Sequence, residues 1–164
     1  MADFVKKYWK TLLFFVLAGL IGGFFTGLYQ LDSYPEEIRQ EIVAQGIDPA
    51  LLGIITAVQA AGYGLVLGAV GILLGKKTGL WKDERKLEKK PLILTAIVAI
   101  LGGMLLILPD LLIFGNYSEV VRDSYAVKPT ILYLIAMVTY GGVIEEVMLR
   151  LFMMSLVAFI LQKL

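Results

Sequence analysis

With 164 residues, 15 basic and 14 acidic, and a formal net charge of +1, the chain carries no electrostatic footprint for nucleic acid. Its 59 % hydrophobic content and mean hydropathy of +0.81 exceed what a soluble domain can bury, since about 45–50 % apolar is usual there. Cysteine and histidine are both absent, which excludes disulfides and thiolate metal sites and leaves no imidazole for acid–base work.

The first element is an uncharged run over 11–31, preceded by Lys6, Lys7 and Lys10. It is longer than the apolar core of a signal peptide, and no small-residue cleavage site follows it. Tyr8 and Trp9 stand at its boundary as an interfacial anchor, so the run is expected to be a retained first membrane helix. The loop "DSYPEEIRQEIVAQGID" follows, and its segment "YPEEIRQEIVAQ" predicts a short amphipathic helix outside the membrane.

A second uncharged run covers 49–75 and contains small residues at four-residue spacing, Ala60, Gly64 and Gly68, with Gly71 and Gly75 repeating it. Such faces let helix backbones approach closely in lipid, either inside one bundle or against a partner helix through Gly64, Gly68, Gly71 and Gly75. Paired glycines at Gly22-Gly23, Gly102-Gly103 and Gly141-Gly142 add to this expectation. The loop after it, "KKTGLWKDERKLEKK", holds Lys76, Lys77, Lys82, Arg85, Lys86, Lys89 and Lys90, expected as topology signals and contacts to anionic lipid.

A third run covers 91–115 and is uncharged up to Asp110, which is expected at the outer interface without a role. The loop "NYSEVVRDSYAVK" has Arg122 and Lys128 as its basic residues. A fourth run, 129–162, is broken only by Glu145, Glu146 and Arg150. Each run approaches or exceeds the ~20 residues that a helix needs to cross a ~30 Å hydrocarbon layer. None alternates apolar and polar residues as a barrel strand does.

The expected fold is therefore all-α: one polytopic membrane helix bundle over 1–164, with about four transmembrane helices in a lipid bilayer. Basic residues are kept cytoplasmic, and their placement predicts both termini inside; the compact size and short loops suggest a bacterial plasma membrane.

The fourth run raises the chemical question. Its midpoint falls near Glu145, and a charged side chain at the bilayer centre costs at least about 2.5–3.5 kcal/mol. On an α-helix Glu146 and Arg150 share a face in the favourable acid-before-base order. Glu145, five positions from Arg150, points roughly 140° away from it. The helix thus predicts one paired carboxylate and one without a local cation. Burial disfavours the charged form of an unpaired carboxyl, and a carboxyl poised to take a proton is what a general base or proton carrier requires. Against this, all three charges could simply lock the helix to its neighbours.

The stretch "GGVIEEVMLRLFMMSLVAFIL" resembles the EExxxR region of the CPBP intramembrane proteases, the CAAX-protease and bacteriocin-processing group also called the Abi family. The hydrophobic helices ahead of it resemble that family's N-terminal half. The resemblance implies an all-helical membrane hydrolase acting on a membrane-associated peptide or protein. It makes Glu145 the base that activates water and Glu146 and Arg150 its supports. It also suggests a divalent metal such as zinc, for which this chain has no complete ligand set.

The family's later FxxxH and HxxxN or HxxxD motifs have no counterpart in a chain without histidine, and Leu151 stands where many members have glycine. The chain is therefore expected to be an N-terminal part, inactive alone. Two other classes compete with the protease. One is a proton-relay or transport subunit with Glu145 as carrier, which would need polar residues at matching depth and finds mainly Gln59, Thr56 and Thr95. The other is a non-enzymatic accessory or immunity-type membrane protein.

Overall fold

The computed structural model describes residues 2–46, 48–83, 89–126 and 129–163. Arg85, Lys86 and Lys128, expected as topology signals, lie outside the described residues. No strand occurs among the described residues, and three helices are long and apolar enough to cross a membrane: Asp3–Leu31, Pro49–Thr78 and Lys89–Tyr117. The chain is a membrane-type all-α protein.

Helix α1 (Ala2–Ser33) starts well before the uncharged run. Lys6, Lys7 and Lys10 point outward while Tyr8 and Leu12 turn inward onto Ile72, and that burial holds the first turns helical. Of the two expected interfacial aromatics only Trp9 is exposed. Tyr8 is 6 % exposed, with the Trp81 ring 6.4 Å away, edge-on. The amphipathic segment of the first loop forms α2 (Glu36–Ala44), as expected. Helix α3 (Pro49–Thr78) is capped at both ends by its own sequence: Asp48 accepts from the Ala50 N–H at 2.8 Å and Pro49 opens the first turn. Gly79 closes it at φ 78°, where a side chain would be strained.

The described residues form two compact units, 1–82 with 130–164, and 83–129. In the second unit α4 (Lys89–Pro109) runs into a π-helical turn, Asp110–Phe114, and a short helical continuation, Gly115–Tyr117. Helix α5 (Glu119–Ala126) folds back so that the Tyr125 hydroxyl donates to Asp110 Oδ2 at 2.8 Å. No residue of α4 is buried; a helix that is apolar all round with nothing covering it is suited to hydrocarbon rather than water.

In the first unit α1 and α3 are antiparallel and meet backbone to backbone. A Cβ on Gly19 would stand 2.7 Å from the Ala60 carbonyl, one on Gly23 2.5 Å from the Thr56 carbonyl oxygen, and one on Gly27 2.7 Å from the Leu52 carbonyl oxygen. The last helix, α6 (residues 131–161), runs parallel to α3 and antiparallel to α1. It begins with Thr130 accepting from the Tyr133 N–H at 3.1 Å. The Tyr29 and Tyr133 rings meet at 4.8 Å near that end.

The glycine face of α3 is filled from within the chain. Phe15 covers Gly64 and Gly68, Leu151 covers Gly71, and Trp81 and Ser155 cover Gly75. Of the two readings of this face, the structure shows packing inside one bundle. A side chain already occupies each notch, and all four glycines are buried.

Candidate functional site

Helix α6 carries the ionisable residues, and its winding departs from an ordinary α-helix. Ile131–Ala136 and Ser155–Leu161 are α-helical, whereas Met137–Glu145 and Val147–Met154 wind as π-helix, with Glu146 between them. The backbone stays right-handed through every junction, so the segments form one unbroken rod. Such i→i+5 winding is rare and concentrates at functional sites. It leaves Glu146 and Arg150 on one face and brings residues five apart, such as Tyr140 and Glu145, toward a common side.

Arg150 Nε donates to Glu146 Oε2 at 3.0 Å, the pairing that the four-residue spacing predicts. The two side chains line a cavity of about 410 Å3, walled by Phe14 and Phe15 of α1, Trp81 beyond α3, and Val147 of α6. The cavity is otherwise mainly apolar, and the Arg150 side chain, 74 % exposed, offers its remaining donors there. Ile144 and Val147, at 0 % and 4 % exposure, pin this stretch of α6 to the bundle.

Glu145 is placed differently. It is exposed on the bundle surface, does not line that cavity, and makes no ion pair among the described residues. Its Oε2 folds back to within 3.8 Å of where a Cβ on Gly141 would stand, toward the preceding turn. Tyr140 lies on that turn. On α3, Tyr63 accepts from Gln59 Nε2 at 2.6 Å. Val147, two residues beyond Glu145, faces Gly68 of α3, so Glu145 sits near the mid-height of the bundle. The structure therefore brings Glu146 and Arg150 together and leaves Glu145 exposed, away from the cavity they line.

The two tyrosines were not among the residues picked from sequence. A hydroxyl inside an apolar run reads as packing. The usable signal was Gln59-x-x-x-Tyr63, an i,i+4 polar pair inside an uncharged span. Thr56 instead donates to the Leu52 carbonyl at 2.9 Å and Thr95 to the Pro91 carbonyl at 2.8 Å, so both serve their own helices.

The donor set does not fit a zinc ion. Glu145 and Glu146 diverge, and no group of three metal-ligating side chains occurs among the described residues, where three protein ligands plus water are usual. Comparison with family models, with curated proteins and with solved structures finds no match to this chain.

Proposed function

We propose that the chain supplies the glutamate-bearing part of an intramembrane peptidase resembling the CPBP proteases, with Glu145 as the base that activates water. The observation that carries this reading is the split of the two carboxylates: Glu146 is committed to Arg150 at 3.0 Å, while Glu145 makes no ion pair among the described residues. A carboxylate neutralised by arginine is a poor proton acceptor; its unpaired neighbour is free to take one. Glu146 and Arg150 then act as the strut that fixes how far α6 is rotated.

Hydrolysis also needs a group to stabilise the oxyanion. Histidine-bearing helices are expected to bring it, together with any metal. The substrate class is a membrane-associated peptide. The basic residues support cytoplasmic termini, and the compact size and short loops support a bacterial-type plasma membrane.

The test compares native membranes holding the wild-type chain with membranes holding Glu145→Gln, using a mixture of hydrophobic peptides and mass-spectrometric detection of cleavage. Purified wild-type chain should be inactive, native membranes active, and Glu145→Gln membranes inactive. Equal processing by wild-type and Glu145→Gln membranes would sink the proposal.

One observation favours a second reading, a proton-relay subunit: Gln59 donates to Tyr63 at 2.6 Å, a polar pair near the middle of the apolar helix α3. Under that reading vesicles carrying the purified chain acidify along an imposed gradient, and Glu145→Gln abolishes the flux.

A further inference from the structure

We propose that the cavity between α1 and α6 binds one anionic phospholipid, an acyl chain lying along its phenylalanine wall and the phosphodiester accepting from the Arg150 guanidinium. The site is separate from Glu145, and its occupancy does not depend on peptide hydrolysis.

Arg150 is under-used by its own chain. A guanidinium carries five N–H donors and keeps its charge. Nε donates to Glu146 Oε2 at 3.0 Å, and the other four donors meet no acceptor among the described residues, on a side chain 74 % exposed. Leu151 packs on Gly71, which precedes Lys76 by five residues, so this part of α6 lies about 7.5 Å along the bundle from Lys76. At that depth water is scarce and helix carbonyls are already claimed, so the acceptor has to come from lipid. A phosphodiester suits it: guanidinium donors match phosphate oxygens, and the arginine stem can stay in hydrocarbon while its head reaches toward the interface.

Charge and shape agree with that occupant. Lys6, Lys7, Lys10, Lys76 and Lys77 are exposed at this end of the bundle, with Asp3 as their acidic neighbour, and lysines at a membrane surface draw anionic lipid. Lys10 stands one turn from Phe14 on the same face of α1, and Phe14 lines the cavity. Glu146, the acid inside the cavity, is neutralised by Arg150. The volume of about 410 Å3 falls within the roughly 300–1,000 Å3 of small-molecule sites, and Phe14, Phe15, Val143 and Val147 make its walls apolar.

Gly142 is glycine for room rather than for helix contact. Gly19, Gly23 and Gly27 lack side chains because another backbone stands where a Cβ would be. Gly142 also lines the cavity, yet a Cβ there would meet only the Met137 carbonyl oxygen, at an ordinary 3.8 Å. What its missing side chain leaves is open space four residues from Glu146, beside the ion pair.

The test reads the fluorescence of Trp81, which lines the cavity. Trp9→Phe, a change at an exposed position, leaves Trp81 as the one tryptophan of the full chain. This protein is reconstituted in dioleoylphosphatidylcholine vesicles with a rising fraction of either phosphatidylglycerol or phosphatidylcholine brominated on the acyl chains, bromine being a contact quencher of indole. Brominated phosphatidylglycerol should reach half-quenching at about one-tenth of the fraction that brominated phosphatidylcholine needs, the factor a charge-assisted hydrogen bond supplies. Gly142→Leu, which fills the cavity, and the double variant Glu146→Gln with Arg150→Gln should each erase that preference. Gly62→Leu, where a Cβ meets nothing within 4 Å, should keep it.

Equal curves for the two lipids in the Trp9→Phe chain overturn the proposal, whether or not the cavity variants fold. A preference that survives in a Gly142→Leu chain of unchanged helicity overturns it too. Loss of the preference on adding inorganic phosphate at constant ionic strength assigns Arg150 to a free anion instead. Absence of quenching by either lipid, in a chain that cross-links to itself, gives the cavity to a second copy and likewise sinks the lipid.

Discussion

Replacing Gly23 with alanine tests the packing on which the site depends. The added Cβ would lie 2.5 Å from the Thr56 carbonyl oxygen and 2.7 Å from the Ala57 Cα, so both obstacles are backbone and neither can swing aside. Reaching even the 3.0 Å below which Cβ contacts are essentially never seen requires α1 and α3 to separate by about half an ångström. Gly19 and Gly27 are seated just as closely one turn away on each side. A gap of 0.5–1 Å forfeits about a quarter to a half of the dispersion attraction, so those contacts weaken too.

Overpacking of this kind costs about 1–3 kcal/mol, while alanine in a helix returns about 0.5–1 kcal/mol over glycine. The steric term wins, and a net loss of about 1–2 kcal/mol is expected. Gly62 on α3 is the internal control: a Cβ there meets nothing within 4 Å, so Gly62→Ala should keep the helix gain. Unfolding in mixed micelles with rising dodecyl sulfate, followed by circular dichroism, should separate the two variants by about 2 kcal/mol. If Gly23→Ala proves as stable as Gly62→Ala, α1 and α3 are not in backbone contact and the reasoning fails.

A double-mutant cycle of Glu146→Gln and Arg150→Gln, by the same unfolding assay, should give a coupling of about 1 kcal/mol, above the ~0.3–0.5 kcal/mol of a water-exposed helix pair; a zero coupling would discount the strut. In α2, donation from Arg39 and Gln40 holds the Glu36 carboxyl below its ordinary 4.5. Its contribution is therefore complete above that ordinary value and fades as pH falls through the lowered one. Carbon NMR should show the Glu36 midpoint rising in Arg39→Ala, and an unmoved midpoint would deny the bond. Tyr125 is pushed above its ordinary 10.0 by donating to Asp110. That bond stabilises below the ordinary value and is lost as pH rises through the raised one, so Asp110→Asn should bring the tyrosinate absorbance change to lower pH.

Uncharged runs located α1, α3 and α4 because the bilayer imposes one rule along a whole segment: no charge, and enough length. Helix α1 extends past that apolar run, since lysines can sit on a helix when Tyr8 and Leu12 bury the opposite side. The pairing of Glu146 with Arg150 was legible because it is local to one helix. The π winding of α6 was not, because it leaves no periodic mark in the sequence. The notches at Gly19, Gly23 and Gly27 obey the same four-residue spacing that was noticed on α3. They were overlooked beside the more conspicuous Gly22-Gly23 pair.

The backbone seats between α1 and α3 also act as a mechanical detent. Each glycine sits against a particular peptide unit, and the next equivalent seat is four residues along, about 6 Å away. The two helices cannot creep past each other by an ångström or two; they either hold station or jump a whole notch. A bilayer that thins or thickens around the protein must therefore be met by tilting the pair as one rigid body. The lysines over Tyr8, Lys7 at 5.6 Å and Lys76 at 5.3 Å, come from opposite arms of that pair. Locked at a common height, they work as a single float line at the membrane surface, and the depth of Glu145 is set by it.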